Sequence, residues 1–233
     1  MKFSTATSKI TSDEERKHHG VPHAQRGLTL QQIHAVLVGV NEESWLESTC
    51  TNYNSKKKTW KKNEHPKSLN MYALNEYFVS PTTSCNKKQR EKIPNRVLEA
   101  AGVPEAPLED ISYSEMVNPE GVRVDYFVSH WWGHDFKRTV ACLSNFANEI
   151  YVKIGKKSPD EVVFWICTFA LNQHRAKEEV GATPEEGPFN KALEEAKHGA
   201  VMILDAKADP MSRIWCLFEI SRAKALDRQF ELI

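Results

Sequence analysis

The chain has 233 residues with 31 Lys and Arg against 31 Asp and Glu, so its formal charge is zero and its pI is near 7.1. That length suits one α/β domain with an appendage or two small domains. The charge balance supplies no global field for recruiting nucleic acid or an anionic membrane, and neither is expected as a partner. Cys50, Cys85, Cys142, Cys167 and Cys216 are an odd number without a C-x-x-C pair, the pattern of reduced thiols rather than a disulfide framework or a structural zinc site. The first twenty residues have no apolar signal-peptide core, and no apolar run reaches the length of a membrane span. A soluble, cytoplasmic protein is expected.

Residues 1–26 are polar, without helical or strand periodicity, and read as a flexible arm. Residues 27–120 read as a small, mostly helical or irregular N-terminal region packing on the domain C-terminal to it. Within it, Thr29 and Gln32 form a capping signal for a helix carrying Leu30, Ile33, Val36 and Leu37 on one stripe. "LNMYALNEYFVSP" predicts a second helix closed by Pro81, and "IPNRVLEAAG" a third ended by Gly102. The lysine cluster around Trp60 in "NSKKKTWKKNEHPK" reads as a solvated loop. Pro104, Pro107 and Pro119 give the end of this region the composition of a linker.

From residue 121 to 233 the pattern alternates. "VDYFVSH" predicts a strand, and "FKRTVACLSNFANEIYVKIG" an amphipathic helix. "EVVFWICTFA" reads as an almost continuous apolar strand covered on both faces. "PFNKALEEAKHG" predicts a helix ended by Gly199, "AVMILD" a strand, "SRIWCLFEISRAKALD" a helix capped by Ser212, and "QFELI" a fourth strand. Either that strand ends the fold or the chain is a piece of something longer. The alternation implies a doubly wound parallel sheet with right-handed crossovers. In the flavodoxin-like order 2-1-3-4, the loop after strand 1 and the helix after strand 3 converge on one crevice, where such sheets bind ligands.

Both places are chemically dense. The loop is Ser-His-Trp-Trp-Gly-His-Asp, residues 129–135, and in the helix Glu219 interrupts a run that is apolar from Ile214 to Phe218 and again at Ile220. A carboxylate so placed is either paired, with Arg213 or Arg222 in reach, or held for use. Trp215 lies one turn before it on the same face. Trp165 and Trp215 read as core side chains by their positions, whereas adjacent Trp131 and Trp132 cannot both point inward. A metal held by His130, His134, His174, Cys167 and Cys216 is not expected, because no pair has i, i+4 spacing on an assigned helix and His130 with His134 straddles a loop. Cys167 and Cys216 sit in apolar runs and read as inert packing residues.

"DYFVSHWWGHDF" resembles the first strand and loop of Toll/interleukin-1 receptor (TIR) domains, and "SRIWCLFEI" after the strand "AVMILD" resembles the Ser-x-Trp-Cys-Leu-x-Glu-Leu helix of the plant type. The resemblance covers residues 121–233 and implies a TIR-like domain lacking its last strand. It also implies an NAD⁺ nucleosidase in which Glu219 is the catalytic carboxylate. NAD⁺ or a related adenine nucleotide is then the substrate, no bound cofactor or metal is needed, and self-association through TIR-like surfaces is expected. The substrate would be held by Ser129, His130, Trp131, Trp132, Gly133, Asp135 and Trp215, with the rings stacking on flat bases and Gly133 allowing close backbone approach. The alternative is a TIR-like signalling or nucleotide-binding module without chemistry. The sequence departs from the family in its paired tryptophans and in lacking an Asp after the second strand.

Overall fold

The computed structural model describes residues 20–180, 187–205 and 207–233. Five short strands form one sheet: β1 (Leu28–Thr29), β2 (Tyr126–Ser129), β3 (Val163–Trp165), β4 (Ala200–Met202) and β5 (Phe230–Leu232), in the order β1-β3-β2-β4-β5. β2 to β5 run parallel, and β1 joins β3 antiparallel at the edge. The four parallel strands alone follow the order 2-1-3-4, so the first and third are neighbours. Helices flank the sheet, notably α1 (Leu30–Val40), α2 (Glu43–Lys56), α3 (Phe136–Ile150), α4 (Pro188–Glu195) and α5 (Ile214–Ala225).

Strand alternation sorts side chains between the two faces. Tyr126 and Val128 of β2 enter the larger apolar cluster with Phe164 and Val201, joined there by α1, α2 and α3. Phe127 turns the other way, onto Trp165 at 5.0 Å in a stacked pair, within a smaller cluster rich in alanine (Ala170, Ala192, Ala196, Ala200, Ala223). α4 and α5 cover that second face.

The N-terminal region adds β1 to the sheet edge. The Thr29 capping box closes at the start of α1: the hydroxyl accepts from the Gln32 N–H, and the Gln32 side chain accepts from the Thr29 N–H. α2 is a helix that the sequence pattern does not announce, yet it buries Trp45, Leu46, Thr49, Cys50 and Tyr53, spaced as one helical stripe. Of the polar arm read over residues 1–26, residues 1–19 lie outside the described residues. Residues 20–26 are packed, with Val21 and Ala24 buried and the Arg26 guanidinium paired to Glu115 at 3.1 Å and Glu179 at 2.8 Å.

Several element boundaries differ from expectation. The run "EVVFWICTFA" contains only the three residues of β3, after which Cys167–Ala170 turn helical. Periodicity cannot separate a buried strand from a buried helical turn in such a run. Pro81 does not close its helix. Residues Asn75–Val79 widen into a π turn, so Pro81 enters the helical piece Ser80–Thr83 where the hydrogen-bond ladder is already interrupted. α5 is preceded by a 3₁₀ turn that includes Ser212, and its cap position is Arg213 without a side-chain cap bond. α4 ends at Glu195, well before Gly199. Gly199 instead has φ +110° and admits the Gln229 carbonyl where a Cβ would lie 2.3 Å from its oxygen.

Candidate active site

Ser129 is the last residue of β2 and, by the two-residue period, faces the same side as Phe127, toward α5. There its hydroxyl donates to Glu219 Oε2. Glu219 is buried, and among the described residues no basic side chain pairs with it. Arg222 is engaged instead by Glu194 at 3.1 Å and Asn190 at 2.5 Å, and Arg213 lies over the Trp131 ring at 5.4 Å. Burial pushes the Glu219 carboxyl from 4.5 up to about 7, an effect that the Ser129 bond partly opposes. The ion pair that the sequence allows for Glu219 is therefore not formed among the described residues.

The carboxyl lines a crevice of about 700 Å³, within the roughly 300–1,000 Å³ of small-molecule sites. Trp131 and Trp132 stand on one wall, and Trp215 and Phe189 on another with ring centroids 6.1 Å apart and planes inclined by 24°. His130, Cys167, Arg213 and Cys216 are among its polar lining. Trp215, expected in the core, is 51% exposed, because α5 turns that side to the crevice mouth.

The loop after β2 is clamped by the N-terminal region. The Met71 N–H donates to the Trp132 carbonyl at 2.9 Å, the Phe136 N–H donates to the Leu69 carbonyl at 2.8 Å, and Asn70 pairs with Asp135 across an antiparallel bridge. Trp132 is further fixed by its indole N–H, which meets Cys167 Sγ at 3.1 Å, and by the Tyr72 ring at 5.4 Å. Two loop residues have tasks other than those expected. A Cβ on Gly133 would lie 2.2 Å from the Trp131 ring, so the missing side chain makes room for that tryptophan rather than for a ligand. Asp135 does not line the crevice; its carboxylate accepts from the Arg138 N–H at 3.0 Å and caps α3.

His130, Cys167 and Cys216 favour neutral forms. Burial holds the His130 imidazole down at about 4 and pushes the Cys167 thiol up to about 12 and that of Cys216 to about 11. Although His130 Nε2 lies 3.7 Å from Cys167 Sγ, this pair therefore provides no thiolate at neutral pH. His134 bonds Thr139 and His174 bonds Thr83, each at 3.0 Å. Among the described residues no three His, Cys, Asp or Glu side chains gather as a metal site.

Trp60, Tyr72, Phe189 and Arg213 also line the crevice, beyond the site residues expected from sequence. Trp60, expected in a solvated loop, packs edge-on to Tyr72 at 6.3 Å while staying 55% exposed. An aromatic set among lysines is its one available signal; nothing in the local pattern of Tyr72 marks it. No family model, no curated protein and no solved structure matches this chain.

Proposed function

We propose that the chain is an NAD⁺ nucleosidase, built on a flavodoxin-like, TIR-like domain over residues 121–233, with Glu219 as its catalytic carboxylate. The observation that carries this reading is a buried carboxyl, free of any cation partner among the described residues, on the wall of an aromatic crevice. Nicotinamide and adenine are flat and suit slots between indole rings. Arg213, the one Lys or Arg lining the crevice among the described residues, suits a phosphate.

In the reaction the bond between ribose C1′ and the nicotinamide nitrogen breaks, and its electron pair leaves with nicotinamide. The ribose carbon becomes oxocarbenium-like and is captured by water, which gives up a proton. Ionised Glu219 stabilises that positive charge or orients the ribose hydroxyls, at low dielectric and without reorganisation. The Ser129 hydroxyl fixes the carboxylate against β2. We place the protein in the cytoplasm, in keeping with its five free thiols and the lack of a membrane-spanning helix among the described residues.

A second reading has an observation of its own. Ile214 is 80% exposed and Leu217 44% exposed on the helix that carries Glu219, an apolar surface that suits self-association by a module without chemistry. The test is nicotinamide release from NAD⁺ by the purified protein at high concentration, quantified by chromatography across pH. The nucleosidase reading expects kcat/KM to rise about tenfold per pH unit below pH 7 and to level off above it, as Glu219 ionises. Absence of release at every pH would leave the non-enzymatic module.

A further inference from the structure

A second pocket, of about 340 Å³, shares Tyr72 and Trp132 with the crevice and takes two lysines from the basic stretch around Trp60. Lys57 and Lys61 line it. The Lys61 ammonium sits 4.8 Å from the Trp60 ring and 5.0 Å from the Tyr72 ring, and it pairs with no carboxylate among the described residues. Lys57 is paired with Glu76 at 2.6 Å and lies 5.3 Å from the Tyr53 ring. Glu76 is the acidic side chain of the lining, and its charge is already matched.

Two further features point to a ligand. Tyr53 is fully buried in the wall, yet its hydroxyl has no hydrogen-bond partner, an arrangement that costs free energy unless something completes it. Burial also raises its pKa above the ordinary range, so the group is a neutral donor. Asn75 and Glu76 of the π turn Asn75–Val79 also line the pocket, and turns of this kind are frequent at functional sites. Ser80 donates to Asn75 Oδ1 at 3.2 Å, which leaves the Asn75 amide nitrogen as a donor to the pocket. The pocket thus offers whatever enters one uncommitted ammonium, that of Lys61, beside the Lys57–Glu76 ion pair and the Asn75 amide, with the Tyr53 phenol buried in its wall.

We propose that this pocket is an anion subsite that takes a phosphate group, supplied by the nucleotide whose flat end lies in the adjoining crevice. The proposal rests on the nucleosidase reading for the source of the phosphate, but not for the chemistry of the pocket. A phosphate group brings negatively charged acceptor oxygens to an uncommitted ammonium, which a neutral base or sugar does not. Tyr72 and Trp132, common to both pockets, form the divide over which one ligand spans the two.

The test is calorimetric titration of the whole chain with inorganic pyrophosphate, ADP-ribose and nicotinamide, comparing wild type with Lys61→Ala, Lys61→Arg and Lys62→Ala. Lys62 is an exposed neighbour outside the pocket and controls for loss of one charge. Lys61→Ala is expected to weaken pyrophosphate and ADP-ribose about tenfold and leave nicotinamide unchanged, with Lys61→Arg recovering most of the loss and Lys62→Ala close to wild type. If pyrophosphate binding depends on Lys61 but ADP-ribose does not bind, the anion subsite stands, free phosphate is its ligand, and the nucleotide reading is what fails. Pyrophosphate that does not bind wild type, or that binds Lys61→Ala and wild type equally, overturns the subsite.

Discussion

The two faces of the sheet are built differently. One is covered by α1, α2 and α3 with large, fully buried side chains such as Phe164, Tyr53 and Ile33. The other is covered by α4 and α5 over an alanine-rich layer, and α5 buries only Cys216, Glu219 and Ala223 while Ile214, Trp215 and Leu217 remain exposed. Small side chains bring α5 close to β2, so that Ser129 reaches Glu219, but they leave a crevice at the carboxyl ends of the strands. This thin face also seats the stacked Phe127–Trp165 pair, and it is the face that carries the candidate site. A buried, unpaired carboxylate is destabilising, so its presence on the thin face is a local violation of good packing, of the kind expected at functional sites.

The largest effect should come from the thick face. Phe164→Ala removes a fully buried ring and is expected to cost about 3–5 kcal/mol in urea unfolding; a cost below about 1 kcal/mol would show that this ring is not part of a well-packed core. Glu219→Gln should act in the opposite direction. Because the folded pKa lies above the unfolded one, wild type loses stability as pH rises from 4.5 through about 7. The variant escapes that loss and should be more stable by at most about 3 kcal/mol at pH 8 and by almost nothing at pH 4. The difference between the two proteins isolates this group. His23 and His130, both held down at about 4, destabilise both proteins alike as pH falls below 6.5.

Smaller effects sharpen the assignment of individual residues. Asp135→Ala removes the α3 cap and should cost about 1 kcal/mol, with nicotinamide release per folded molecule unchanged; a lost turnover would return Asp135 to the site. Trp215→Ala should cost only about 1–2 kcal/mol, since the side chain is half exposed and packs on Phe189 and Phe218. It should nevertheless weaken ADP-ribose binding measurably in the same titration used for Lys61.

What is legible in the sequence follows chemical density and periodicity. Ser129, His130, Trp131, Trp132 and Glu219 stand out because polar or aromatic groups interrupt apolar runs, and the structure brings these five together. Gly133 and Asp135 belong to the same dense loop, but their work is to seat Trp131 and to cap α3, which spacing alone does not distinguish from ligand contact. The N-terminal wall is largely illegible. α2 carries few strongly apolar residues, and the Ser112–Glu115 capping box, a readable signal for the helix Tyr113–Val117, is obscured by the surrounding prolines. Tyr72 and Trp60 reach the crevice only through long-range packing on the β2 loop, as the Met71 and Phe136 backbone bonds show.

The role of the thin-face carboxylate is tested by nicotinamide release from NAD⁺ by wild type and by Glu219→Gln, each shown to be folded, because glutamine keeps the shape and can still accept from Ser129. Release by wild type and a loss of about 10²–10⁴-fold in the variant are expected. Equal release by the two proteins, or none by wild type, would contradict it.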